Sequence, residues 1–148
     1  MVNIKKEVMK ILKIQFWGII LVNVLILVLF MTGLLPQGYF ATDKNMIYVL
    51  SMACVFFTLG DIYLSWRMLG TAKAKKQVRE QGFILYSVKC QIRIILMLAA
   101  TVMTLVSYFL TLETSIGFCW LISMLALWLV YPSMKEYNSI VNGDETAE

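Results

Sequence analysis

Residues 46–68 read MIYVLSMACVFFTLGDIYLSWRM. Apart from Asp61 and, near its close, Arg67, the run has no charged side chain, and it is as long as the ~20 residues a helix needs to cross the hydrocarbon layer of a bilayer. Its polar and small residues are not scattered. At about 100° per residue, Ser51, Cys54, Thr58, Asp61 and Ser65 fall within one arc of roughly 80°, at spacings of three and four. The rest of the circumference is apolar. An ionisable group turned towards lipid is costly, so the narrow polar stripe has to face the protein interior and the broad apolar side the membrane. The run lacks the alternation of a barrel strand, and an unpaired strand could not satisfy its backbone in lipid, so the segment reads as a helix.

Three further segments of the same kind surround it. Residues 14–35 are apolar except for Gln15, Asn23, Thr32 and the glycines Gly18 and Gly33; residues 94–112 and 115–131 are separated only by the turn around Glu113 and Thr114. The latter two read as a tight antiparallel hairpin. The first span is longer than the apolar region of a signal peptide and no small-residue cleavage pattern follows it, so it is expected to remain as an anchor. With 148 residues, 60% apolar and 15% charged, and a mean hydropathy of +0.77, the chain has room for these spans and little else. The expected fold is all-α, an integral membrane four-helix bundle forming a single transmembrane domain over residues 1–148.

Orientation follows from the basic residues. Lys5, Lys6, Lys10 and Lys13 precede the first span; Arg67, Lys73, Lys75, Lys76, Arg79, Lys89 and Arg93 lie between the second and third; Lys135 follows the fourth. That places all but Lys44 of the 13 lysines and arginines on one side. The positive-inside rule makes this side the cytoplasm, with both termini there and the chain multi-pass in a bacterial inner (plasma) membrane. Trp17, Tyr63, Trp66, Tyr86, Trp128 and Tyr131 fall near the inner surface and Tyr39, Tyr48, Tyr108 and Trp120 near the outer one, as aromatic belts require.

The basic loop 70–91 is rich in helix formers over residues 71–81, is interrupted at Gly82, and then carries the short apolar run Phe83, Ile84, Leu85 and Tyr86. This run is expected to lie at the inner interface. Lys73, Lys75, Lys76, Arg79 and Lys89 are the expected contacts for anionic lipid head groups at the cytoplasmic face. The net charge of +4 therefore reflects topology, and nucleic acid is not an expected partner. Residues 135–148 form an acidic tail with Glu136, Asp144, Glu145 and Glu148.

Polar residues inside the spans define a candidate site: Asp61, Arg93, Asn23, Ser51, Thr58, Ser65 and Thr104. Arg93, Ala100, Thr104, Ser107 and Thr111 share one side of the third span, and Ser115, Cys119, Ser123 and Ala126 form a run of small residues in the fourth. On the plainer of two readings these stripes are the bundle interface, with Asp61 bonded to a hydroxyl or paired with Arg93 or Lys89, and Asn23 joining helices. On the other, Asp61 is a proton or cation site opposite Arg93.

Catalysis has little raw material here. Histidine is absent, and Cys54, Cys90 and Cys119 are scattered without a C-x-x-C pair. There is no glycine-rich phosphate loop, no zinc-protease or serine-hydrolase motif, and no carboxylate pair within the spans. No catalytic, metal or cofactor site is expected, and the protein is expected not to be an enzyme.

The closing pattern, Gly117-Phe118-Cys119-Trp120-Leu121 through Trp128-Leu129-Val130-Tyr131-Pro132-Ser133 with Lys135 and Glu136 beyond, resembles small uncharacterised four-span bacterial inner-membrane proteins associated with ATP synthase genes. The resemblance covers the last quarter of the chain. It implies an accessory role in assembling the membrane rotor or supplying its ions, and carries over no functional residue. In overall plan the chain also looks like the four-span families that move polyprenyl-linked sugars. Small multidrug carriers are set aside, because their essential glutamate lies in a first span that here has no acid. The expected function is a non-enzymatic accessory or assembly subunit of a larger membrane complex, partnered by other membrane subunits or itself; the alternative is a small oligomeric transporter or channel, for an ion or a lipid-linked substrate, using Asp61.

Overall fold

A computed structural model describes residues 2–143; of the acidic tail, Asp144, Glu145 and Glu148 lie outside the described residues. Those residues form six helices: α1 (Val2–Met31), α2 (Lys44–Gly70), α3 (Ala72–Gln81), α4 (Phe83–Thr111), α5 (Thr114–Leu129) and α6 (Met134–Asn142). Helices α1, α2 and α4 are long and apolar enough to cross a membrane. The expected fourth span, residues 115–131, is shorter than it reads. Helix α5 has 16 residues, or roughly 24 Å at 1.5 Å per residue, and stops before Pro132. A fourth span is completed only by counting α5 together with α6, which meets it at a bend of 59°.

Helix α1 begins at Val2 and runs through Lys5, Lys6, Lys10 and Lys13 without a break, since nothing in that stretch stops a helix. The apolar run Phe83–Tyr86, expected at the inner interface, forms the first turn of α4, and Tyr86 is fully buried. Gly82 makes this arrangement: at φ +75 it reverses the chain between the short basic α3 and the long α4. Side chains cap the helices that start in loops: Asp43 accepts from the backbone N–H of Asn45 and Met46, Thr71 from Ala74, and Ser133 from Lys135. The link from α1 to α2 is tied to the end of α4, where Gly38 N–H and Phe40 N–H donate to the carbonyls of Phe109 and Leu110 at 2.8 and 2.9 Å.

Helix α4 is the central element, in contact with α1, α2, α3 and α5. Two ends of the bundle can be distinguished. At one end Phe30 stacks on Phe109 with ring centroids 4.5 Å apart, and Cys54, Ile116 and Cys119 fill the space between α2 and α5. At the other, α3 and α6 close over the starts of α1 and α4, and Phe83, Tyr86 and Tyr137 pack together beneath Lys5. The basic residues of α1, α3 and the beginning of α4 gather at this second end, and Lys44 sits at the opposite one.

Unlike a water-soluble bundle, this one turns a broad apolar surface outward and places polar residues among its apolar core. The buried face of α2 is Cys54, Thr58, Asp61, Ser65 and Leu69, while Phe56, Phe57, Leu59 and Trp66 are exposed. Helix α1 likewise exposes Ile14, Trp17, Leu21 and Leu25 while burying Asn23. Water would reverse both choices, whereas lipid favours them. The described residues thus form an all-helical protein whose surface is suited to a multi-pass position in a membrane.

Candidate functional site

The polar stripe of α2 points inward as its periodicity requires, but its members differ in what they meet. Ser51, near the loop end, is only half-buried. Thr58 accepts a 3.4 Å hydrogen bond from the Ser123 hydroxyl of α5, a small-residue contact that brings the two helices together. Asp61 and Ser65 are buried, and both carboxylate oxygens of Asp61 and the hydroxyl of Ser65 have no hydrogen-bond partner among the described residues. One helical turn, about 6 Å along the axis, separates them.

Arg93 enters from α4 at the level of Ser65. Its Nη2 donates to the Leu129 carbonyl at 3.2 Å, one of the carbonyls that the last turn of α5 cannot use internally. Its Nη1 lies 3.6 Å from Glu136 Oε1, and the second oxygen of Glu136 accepts from the Tyr86 hydroxyl at 2.9 Å. The expected pairing of Asp61 with Arg93 is therefore not the one made. Helix α6, bent 59° from α5, brings Glu136 to the guanidinium, while Asp61 lies a turn further into the apolar region. Lys89, the other expected partner of Asp61, donates to Gln77 of α3 at 3.3 Å. Nε and Nη1 of Arg93 are left without a hydrogen-bond acceptor among the described residues.

Ser65, Arg93 and Glu136 share the wall of a cleft of about 410 Å³ between α2, α4, α5 and α6. Leu69, Met97, Ala126, Val130 and Ile140 supply its buried apolar walls, and Lys75, Trp66, Leu129 and Ser139 stand exposed around it. Glu136 and Tyr86 are the functional candidates that sequence reasoning missed. A signal was present: Ser133-Met134-Lys135-Glu136 has the S-x-x-E spacing of a helix start, followed by an apolar pair at Tyr137 and Ile140. The first part of the expected acidic tail is thus a packed amphipathic helix with Tyr137 and Ile140 buried.

Asn23 belongs to a separate node. Its amide nitrogen donates to the Ile19 carbonyl at 2.9 Å and to the Thr101 hydroxyl at 3.1 Å, and its oxygen accepts from the Trp120 indole N–H at 3.3 Å. Three helices, α1, α4 and α5, are joined at one fully buried side chain. Thr104 contributes to neither site, since its hydroxyl donates to the Ala100 carbonyl of its own helix at 2.9 Å. Of the seven expected intramembrane residues, the fold brings Ser65 and Arg93 to one cleft with Asp61 a turn away, and places Asn23, Ser51, Thr58 and Thr104 elsewhere.

The expected head-group contacts also divide. Lys73, Lys75 and Lys76 project from the exposed face of α3, while Ala74 and Val78 are buried beneath them. Arg79, also exposed, donates through Nε to the Ile140 carbonyl at 2.6 Å, capping the end of α6 where cationic groups are favoured. Cys54, Cys90 and Cys119 are buried free thiols. Among the described residues, no three or more His, Cys, Asp or Glu side chains are grouped as metal ligands would be. In comparisons with known proteins, no family model, no curated protein and no solved structure matches this chain.

Proposed function

We propose that this chain is a non-enzymatic protein of a bacterial inner membrane, with four spans and both termini cytoplasmic, that acts as an accessory or assembly subunit of a larger membrane complex. The observation that carries this reading is a pair of mid-helix glycines, Gly18 in α1 and Gly60 in α2, at which an added Cβ would meet nothing within 4 Å. Glycine in a helix interior costs about 0.5–1 kcal/mol relative to alanine, and no neighbour within the chain needs either one. In a membrane, small residues at such positions let another helix approach closely. Exposed apolar side chains flank both, among them Ile14 and Leu21 on α1 and Phe56 and Phe57 on α2.

The gathering of basic residues at the α3–α6 end supports an inward orientation for that end. At the opposite end the interior is filled by Phe30, Leu105, Phe109, Ile116 and the thiols of Cys54 and Cys119, which favours a packing role over a conducting one. The ATP synthase membrane sector is the setting that the resemblance of the closing segment suggests.

Native mass spectrometry of the protein extracted in mild detergent from its own membrane tests the proposal. A defined complex is expected, and Gly18→Leu and Gly60→Leu should each reduce its recovery without lowering the thermal stability of the isolated chain. Absence of any stoichiometric partner, itself included, would overturn it.

A second reading, a homo-oligomeric transporter or channel using Asp61, is favoured by one observation: both oxygens of that carboxylate are buried without a hydrogen-bond partner among the described residues. It predicts that Asp61→Asn abolishes proton or monovalent cation flux in proteoliposomes. Unchanged flux would remove it.

A further inference from the structure

The cleft between α2, α4, α5 and α6 is not accounted for by helix packing. Two polar side chains on its wall are more than nine-tenths buried, Ser65 at 3% and Arg93 at 5% exposure, and both carry unpartnered atoms: the Ser65 hydroxyl and Nε and Nη1 of the guanidinium. A buried guanidinium normally has acceptors for its N–H groups, and here only Nη2 makes a hydrogen bond, to Leu129. Glu136 balances the charge at 3.6 Å, too long for a hydrogen bond, and its other oxygen already accepts from Tyr86.

The unused capacity beside this cleft is that of donors, which have no free surface in it and which a ligand reaches by a shift of the Ser65 and Arg93 side chains. Arg93 and Lys75 are both cationic, the Ser65 hydroxyl can donate, and Glu136 is the carboxylate on the wall that is already engaged. Such a set suits an anion with several acceptor oxygens, to which arginine and lysine bind well. The rim of the cleft is itself divided. Trp66 and Leu129, 63% and 76% exposed, border it on the apolar surface, whereas Lys75 projects from the basic helix α3 and Ser139 from α6. A molecule with a charged head and an apolar tail would satisfy both borders, and a volume of about 410 Å³ between apolar walls admits a head group and the start of its chains.

We propose that this cleft is a binding site for a phosphate group, delivered as the head group of an anionic membrane phospholipid, with Arg93 and Ser65 contacting the phosphate from within and Lys75 from the rim. The proposal concerns a built internal site and is independent of whether the chain joins a larger complex. It also differs from diffuse attraction of lipid to Lys73 and Lys76, because the decisive guanidinium is buried.

The test uses the purified, delipidated full chain in detergent, titrated by native mass spectrometry with phosphatidylglycerol, with diacylglycerol of the same chains, and with glycerol 3-phosphate. Phosphatidylglycerol should bind one to one, at least tenfold more tightly than diacylglycerol. Arg93→Gln should weaken it tenfold or more and Ser65→Ala and Lys75→Gln about threefold each, while Lys6→Gln, remote from the cleft, has no effect. Should Arg93→Gln fail to fold, Lys75→Gln at the exposed rim carries the test. Glycerol 3-phosphate binding as tightly as the lipid, with the same dependence on Arg93 and Lys75, would uphold the phosphate and assign it to a soluble source; failure of glycerol 3-phosphate to bind would assign it to the lipid. Diacylglycerol binding as tightly as phosphatidylglycerol, or an affinity unchanged by Lys75→Gln and Ser65→Ala, would overturn the proposal.

Discussion

Two groups of buried polar side chains lie inside this bundle, and they are built to opposite standards. Around Asn23 every heavy polar atom has a partner: the amide reaches Ile19, Thr101 and Trp120 and so joins α1, α4 and α5. Around Asp61, Ser65 and Arg93, five buried atoms have none among the described residues. Asn23 is fully buried and Asp61, Ser65 and Arg93 are nearly so, at 3–6% exposure, so depth alone does not separate them. The difference is that a satisfied polar group in an apolar medium holds helices together, whereas an unsatisfied one is retained at a cost to stability and calls for a ligand, an ion or a proton to account for it.

Substitutions can break or sharpen this contrast. The largest effect is expected at Arg93, which links α4 to α5 and α6. Arg93→Met should lower stability by about 2–3 kcal/mol, below the usual range for a broken buried pair because the Glu136 side chain is 35% exposed and partly screened. Reversible unfolding in mixed micelles would measure it, and a loss under about 0.5 kcal/mol would mean that the Glu136 contact contributes nothing to folding. Next is the Asn23 node. Asn23→Ala should cost about 1–2 kcal/mol by leaving the Trp120 N–H unpaired, and a double-mutant cycle with Trp120→Phe should return a coupling of roughly 0.6–1.7 kcal/mol. Zero coupling there would show that the indole contact does not form.

Asp61 should respond with the opposite sign. Because its carboxylate has no hydrogen-bond partner to lose among the described residues, Asp61→Leu should leave the chain as stable as before or stabilise it by about 1 kcal/mol. A destabilisation as large as that of Asn23→Ala would erase the distinction between Asp61 and the Asn23 node. The smallest effect belongs to Thr104. Its hydroxyl bonds only to its own helix, so Thr104→Val should change stability by less than about 0.5 kcal/mol in the same assay.

Legibility from sequence followed the range of the interaction. The helical character of each apolar run, the inward polar stripe of α2 and the helix break at Gly82 were all readable, because each depends on residues within a turn or two. Asn23 was readable as a residue that joins helices, but its partners were not, since Thr101 and Trp120 are 78 and 97 residues away. Helix α6 was misjudged because the acidic residues around Glu136 resemble a solvated tail in composition, and only the amphipathic pair Tyr137 and Ile140 marks it as a packed element.

By itself the sequence determined that this protein is helical, that it is suited to a membrane, and which face of α2 turns inward, because hydrogen bonding within a helix and the polarity of lipid act on local pattern. Which cation meets which carboxylate was decided only by tertiary structure. The 59° bend between α5 and α6 brings Glu136 to Arg93 across 43 positions of chain, and Asp61 is left without a hydrogen-bond partner among the described residues. At short range in a low-dielectric interior, ångström-scale placement governs an ion pair, and spacing along the chain does not encode that placement.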